Sequence, residues 1–283
     1  MKYWTIPNRE HTQNQAVQIP KLGFGTYGLL RQTAVSAVEE ALKTGFRHID
    51  TAQIYQNEKE VGEGIKLSKV PREEIFLVTK VWRDSLQPEK VIQTTKESLL
   101  RLSVDYVDLL LIHWPNSEVP LEETLSAMES LVEEGKTRFI GVSNFPSVTL
   151  KEAKNICPLI ITNQVEYHTL LSQDKILKTL RELGMLLTAY SPLARGAALQ
   201  LQQVRHIAEK HKKHPEQIVL KWLVDQENVA AIVKSQNSKR IQINFDIFHF
   251  ELDPEDRKTL HALSRNQRRL IHPPFAPQWD RID

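Results

Sequence analysis

The chain has 283 residues, 41% hydrophobic and 25% charged, the balance of a globular protein with a sizeable core and not of a disordered segment. A net charge of +2, with Lys and Arg spread along the sequence instead of massed in blocks, excludes a nucleic acid as the expected partner but leaves room for a small phosphate-bearing ligand. The lone cysteine, Cys157, excludes an internal disulfide and suits a reducing compartment. The opening MKYWTIPNREHTQ has no long apolar core of a secretory signal, and no apolar run reaches the roughly 18 residues of a membrane span. A cytoplasmic protein, without a membrane partner, is expected.

In chain order, residues 3–20 read as a β-hairpin, with TIP and AVQIP flanking a polar turn, placed to cap the N-terminal end of whatever follows. Eight strand-like apolar runs come next: LGFGT (22–26), RHID (47–50), IFLVTKV (75–81), VDLLLIHW (107–114), RFIGVSN (138–144), IITNQVEY (160–167), MLLTAYS (185–191) and VAAIVKS (229–235). Most are apolar on both faces, as strands buried between a barrel interior and a helix layer must be. Amphipathic helical patterns fill the intervals: TAVSAVEEALKTG stops at Gly45, PEKVIQTTKESLLRL opens on Pro88, and PLEETLSAMESLVEEG stops at Gly135. Eight strand–helix units predict an α/β fold, a (β/α)8 TIM barrel, over an open doubly wound sheet, as a single domain over 1–283. From about Leu263 the prolines of RNQRRLIHPPFAPQWD forbid a regular helix, so an extended C-terminal tail is expected.

In such barrels chemistry sits at the C-terminal ends of strands, which gives weight to polar residues that end apolar runs. Asp50, Lys80 and His113 do so, and Tyr55 follows Asp50 in the next loop. An ordinary tyrosine, with a pKa of about 10, is a poor acid near neutrality, but a neighbouring ammonium favours its phenolate. Lys80 is expected to supply that charge, Asp50 to keep Lys80 protonated, and His113 to hydrogen-bond a substrate carbonyl while Tyr55 acts as general acid. Taken singly, a loop tyrosine is more often a packing residue and a strand-end Lys or Asp a surface ion pair; it is their joint placement that carries the reading. No metal is expected: HID at 48–50 falls short of an HxH pair, no HExxH occurs, and His211 and His214 read as solvent-facing on a polar helix. GFGTYG at 23–28 lacks the spacing of a dinucleotide-binding GxGxxG, and no GxSxG or P-loop is present.

The order Asp50, Tyr55, Lys80, His113 resembles the catalytic tetrad of the aldo-keto reductases. GVSNF (141–145), NQVEYH (163–168), AYSPLARG (189–196) and VKS with a following Arg (233–240) resemble that family's cofactor-binding segments, in the family's order. The resemblance covers nearly the whole chain. It implies NADPH/NADP+ as cofactor, with Ser143, Asn144 and Gln164 on the carboxamide and Tyr190 stacked on the nicotinamide. Gly25 and Thr26 would also contact the cofactor, Ser191, Leu193 and Arg195 would form the pyrophosphate loop, and Lys234, Ser235 and Arg240 would surround the 2′-phosphate. Asn244 matches an adenine contact, whereas Val233 stands where the family often has Pro and Ile243 where it often has Glu. Tyr27, Trp82, His113 and Trp114 match substrate-binding positions. The resemblance runs strongest toward the bacterial branch that reduces 2,5-diketo-D-gluconate and methylglyoxal, which implies a small-molecule carbonyl substrate and a monomer. A cofactor-binding regulatory subunit of the same fold, with little turnover, is the alternative, and the intact tetrad argues against it.

Overall fold

The computed structural model describes residues 1–6 and 17–280. Strands β1 (Tyr3–Ile6) and β2 (Val17–Pro20) pair antiparallel, as the hairpin reading expects; its turn lies outside the described residues. Eight parallel strands then close into a barrel: β3 (Leu22–Gly25), β4 (His48–Asp50), β5 (Phe76–Val81), β6 (Val107–Ile112), β7 (Thr137–Ser143), β8 (Ile160–Glu166), β9 (Leu186–Tyr190) and β10 (Val229–Val233), with β10 hydrogen-bonded to β3. All eight runs read from the sequence are these strands. The helices around them are α1 (Arg31–Thr44), α2 (Glu58–Ser68), α3 (Pro88–Leu102), α4 (Leu121–Glu133), α5 (Ser147–Ile156), α6 (Asp174–Glu182), α7 (Gln202–His211), α8 (Pro215–Val224), α9 (Ser238–Phe245) and α10 (Pro254–Ser264). Gly45 ends α1 at φ 120°, a left-handed conformation that an L side chain strains to adopt. The last helix runs to Ser264, and the irregular tail follows it, close to the expected start at about Leu263.

Period-two alternation sorts the strand residues into two cores. Ile49, Leu77, Leu110, Ile140, Leu187 and Ala231 face the helices, whereas Phe76, Val78, Leu109, Leu111, Phe139, Leu186 and Ala230 fill the barrel interior. Ile19 of β2 joins that inner cluster with Trp4 packed against it, and Trp4 Nε1 donates to Asn228 Oδ1 at 3.0 Å just before β10. The hairpin thus plugs the N-terminal end of the barrel. Continuing the same alternation toward the C-terminal end turns inward Asp50, Lys80, His113, Ser143 and Tyr190, so the interior changes from apolar to polar along its axis.

Strand β8 breaks the alternation once. Ile140 pairs with Ile160 but Val142 with Asn163, so between these pairs one residue of β7, Gly141, opposes two of β8, Ile161 and Thr162. This bulge puts Ile161 in the inner core and then Val165 in the outer one, and leaves Gln164 and Glu166 facing in.

Helix α2 packs backbone-close against its neighbours through two glycines. A Cβ on Gly62 would lie 2.2 Å from the carbonyl oxygen of Leu102, and one on Gly64 would lie 2.7 Å from that of Val35. Gly→Ala in a helix ordinarily gains about 1 kcal/mol of propensity. Here the obstacle is backbone, which a side-chain rotation cannot relieve, and overpacking costs typically about 1–3 kcal/mol or more. Gly62→Ala is therefore expected to lower stability, seen as a lower denaturant midpoint at unchanged m-value; a stabilised variant would contradict this packing.

Candidate active site

Asp50 ends β4, Lys80 lies one residue before the end of β5, and His113 follows β6 directly, its backbone N–H donating to Val81 O at 3.0 Å. Tyr55 closes a short 3-10 turn, Gln53–Tyr55, which the chain makes as it leaves β4. Lys80 is fully buried: its Nζ donates to Asp50 Oδ1 at 2.5 Å and to Thr51 O at 2.8 Å, and lies 5.1 Å from the centre of the Tyr55 ring. The second oxygen of Asp50 accepts from Gln164 Nε2 at 2.8 Å. His113 stands edge-to-face with Tyr55 at 5.6 Å and with Trp82 at 5.3 Å. The four residues singled out from the sequence therefore converge at the mouth of the barrel.

Their electrostatics differ from expectation in one respect. Lys80 was expected to lower the Tyr55 phenol, yet burial, reinforced by Asp50, Tyr190 and Tyr27, pushes it well above the ordinary value. The reason is that Asp50 neutralises the ammonium at contact distance, so the tyrosine faces an ion pair and not a free cation. Burial also lowers the Lys80 ammonium against the opposing pull of Asp50. His113 is pushed well below the ordinary histidine value by burial and then by Lys80, which makes it a neutral imidazole. Its Nδ1 is buried without a partner, and an orphaned acceptor is cheaper than an orphaned donor, so the favoured tautomer carries the proton on Nε2.

A cleft of about 1600 Å³ opens over these groups. Every cofactor and substrate residue named from the sequence lines it, as do Asp50 and Tyr55; Lys80 alone is hidden, behind Asp50. Ser143 Oγ donates to Gln164 O at 2.9 Å, Asn144 Nδ2 to His113 O at 3.0 Å, and Tyr190 OH to Asn144 Oδ1 at 2.8 Å. These bonds leave Gln164 Oε1 and the Tyr190 ring face toward the cleft without a described hydrogen-bond partner. Gly25 permits a close approach, since a Cβ there would lie 2.7 Å from Ile232 Cγ2. At the far end Lys234 and Arg240 are exposed cations with no ion pair among the described residues, beside Ser235 and the N-terminus of α9. Two free cations, a hydroxyl and a helix N-terminus are the donor set that a phosphate dianion requires. The cleft exceeds the roughly 300–1,000 Å³ usual for one small ligand, so it has room for two ligands side by side. Val233 lines it; Ile243 does not.

The tail supplies the residues that sequence reasoning missed. Leu270, Ile271, His272, Pro273 and Phe275 line the cleft, as does Glu216 of α8. Phe275 meets Trp82 at 5.8 Å and Trp114 at 5.5 Å, and Trp279 meets Trp114 at 6.1 Å, all edge-to-face. Aromatic residues in a proline-rich segment with no helix or strand of their own were the available signal. A second correction concerns His211, which is not solvent-facing but bonded through Nε2 to Asp256 Oδ2 at 2.6 Å; His214 is exposed. No helix among the described residues is long and apolar enough to cross a membrane.

Comparison with known proteins bears on the same span. The sequence profile of the aldo/keto reductase family matches residues 21–265. The chain is 40% identical to a methylglyoxal reductase DkgB of Escherichia coli O157:H7, over 93% of this chain and 99% of that one. It is 41% identical to a glyoxal reductase of Bacillus subtilis, over 90% and 92%. A crystal structure of a putative 2,5-diketo-D-gluconic acid reductase B, 43% identical, superposes with a TM-score of 0.91 over 93% of this chain and 94% of that one.

The neutral His113 makes a prediction with a definite sign. In the unfolded chain a histidine takes up a proton as pH falls through about 6.5, whereas folded His113 does not, so folding loses about 1.4 kcal/mol per pH unit below that point. His113→Gln should remove that loss: its stability is expected to fall less steeply than wild type between pH 7 and 5 in denaturant titrations. Parallel slopes would mean that His113 protonates in the folded protein.

Proposed function

The chain belongs to the aldo/keto reductase family and is an oxidoreductase that reduces carbonyl compounds, and from that premise we propose that it uses NADPH to convert small aldehydes and ketones to alcohols with Tyr55 as the acid. The observation that carries the reading is one cleft that has Tyr55, His113 and the buried Lys80–Asp50 pair at one end and two unpaired cations at the other. NADPH supplies, when bound, the hydride that adds to the carbonyl carbon. Lys234, Ser235 and Arg240 would hold its 2′-phosphate, Ser191, Leu193 and Arg195 its pyrophosphate, Asn244 its adenine, and Gly25 and Thr26 would also contact it. Ser143, Asn144 and Gln164 would hold the carboxamide, where Gln164 Oε1 can accept, while the Tyr190 ring supports the nicotinamide. With Ile243 away from the cleft, adenine is held more by Asn244 than by charge.

The raised phenol pKa means that Tyr55 enters the reaction protonated, as an acid must. His113 Nε2–H orients the carbonyl oxygen toward the Tyr55 hydroxyl, which gives up its proton as charge grows on that oxygen. The phenolate so formed is stabilised by Lys80, which Asp50 keeps charged, so the cation matters most after the proton has left. Trp82, Trp114, Tyr27 and Phe275 wall the carbonyl end with rings and exclude water. A narrow aromatic mouth, and relatives named for glyoxal, methylglyoxal and a diketogluconic acid, support activated α-dicarbonyls as the substrate class.

Tyr55→Phe keeps the ring and removes the proton; carbonyl reduction should fall by about 10²–10⁴-fold while NADPH binding persists. Wild-type turnover by this variant would defeat the assignment. Lys234→Ala or Arg240→Ala should weaken NADPH about tenfold, the lower end of a charged hydrogen bond because both side chains are exposed, and leave NADH nearly unchanged in fluorescence titrations. In a kinetic panel, methylglyoxal should show a higher kcat/KM than a simple ketone of its size, since the neighbouring carbonyl makes the accepting carbon more electrophilic; better turnover of bulky steroid ketones would reject the substrate class but not the reaction.

A further inference from the structure

Glu166 ends β8 two residues beyond Gln164, on the same inward face, and is fully buried. A buried carboxylate needs donors. Here three converge: Leu270 N–H on Oε1 at 2.7 Å, Ile271 N–H on Oε2 at 2.9 Å, and His168 Nε2 at 2.9 Å from Oε1. The direction of the last bond is fixed by geometry. Leu170 N–H donates to His168 Nδ1 at 3.2 Å, so the ring proton of the neutral imidazole lies on Nε2 and points at the carboxylate. The Arg269 guanidinium stands 4.0 Å from Oε2 and stacks 3.8 Å over Trp279.

We propose that Glu166 is a positioning residue for the substrate wall: it clamps two successive amides of the tail, and so sets where Phe275 and Trp279 lie over the carbonyl end of the cleft. The role rests on the reductase reading above. The tail from residue 267 to 280 has no helix or strand to hold it. Among the described residues, its hydrogen bonds to the barrel are that clamp, the N–H of Arg268 on Leu170 O at 2.7 Å, and Asp280 Oδ2 accepting from Ser147 N–H and Oγ–H at 2.9 and 2.8 Å. Between those anchors the segment carries Phe275 and Trp279 against Trp82 and Trp114. Releasing the first anchor frees the wall while leaving Tyr55, Lys80, Asp50 and His113 in place, because Gln164 and not Glu166 touches Asp50.

Glu166→Gln tests the clamp in the full chain. All three neighbours are donors, so the new amide must set its own N–H against one of them whichever way it turns. The KM for methylglyoxal should rise at least about tenfold with kcat within about threefold, and NADPH affinity should hold within about twofold. Ile271→Pro removes one donor from the tail side along with a side chain of the cleft lining and should raise the KM likewise, whereas Ile271→Ala, which cuts back the same side chain but keeps the N–H, should raise it less; the pair carries the test if Glu166→Gln does not fold. Hydrogen exchange at the amides of residues 270 and 271 should quicken at least about tenfold in Glu166→Gln. That arm needs no turnover, so it still reads the clamp if the wild-type protein reduces no carbonyl. Unchanged KM with unchanged protection overturns the proposal, and so does a fall in kcat at constant KM, which would place Glu166 in the chemistry instead.

Discussion

The buried contact between Lys80 and Asp50 is the constraint on which the rest of this site depends. Removing one partner of such a pair typically costs about 3–5 kcal/mol, because the survivor is left as an uncompensated charge. The protein tolerates the pair by giving each member a further partner: Thr51 O accepts from the lysine, and Gln164 donates to the second carboxylate oxygen. In the barrel order β4 and β8 stand on opposite sides, so the Gln164 bond crosses the mouth. Closure of the sheet and satisfaction of the ion pair are thus one structural condition.

That condition explains the division of the barrel along its axis. The N-terminal half is filled by Phe76, Val78, Leu109, Leu111 and Phe139 and plugged by Ile19 from the hairpin, so water enters from one end alone. The upper half is polar but almost entirely paired within itself, through Ser143, Asn144, Gln164 and Tyr190. Pairing fixes the side chains before any ligand arrives, and a preorganised site does not spend binding energy on ordering them.

Most of this was legible in the residues. Eight apolar runs became eight strands, and the run ends at Asp50, Lys80 and His113 meet because barrel closure brings strand ends together whatever their separation in sequence. Tyr55, the residue without a strand of its own, was legible through its distance from Asp50 and through family resemblance. What was hidden has a common cause. The wall built by Phe275 and Trp279 depends on where an irregular segment is anchored, and no periodicity encodes that. The direction of the Tyr55 shift depends on how tightly Asp50 embraces Lys80, a distance and not a pattern. His211 reads as solvent-facing until α10 brings Asp256 beside it.

The extra residue in β8 gives that strand two reading frames. Below the bulge odd-numbered Ile161 faces in; above it the even-numbered Gln164 and Glu166 do. Straightening the bulge with all its residues kept would leave the floor of the barrel packed, yet would rotate Asn163 and Val165 inward in place of the side chains that hold Asp50 and the tail, whereas loss of the extra residue itself would keep Gln164 and Glu166 facing in. A deletion at the bulge is therefore one that β8 can absorb, whereas deletion of Val165, above it, would turn Glu166 outward and release the tail from a barrel that still folds. In this strand the count of residues is as much a part of the active site as their identity.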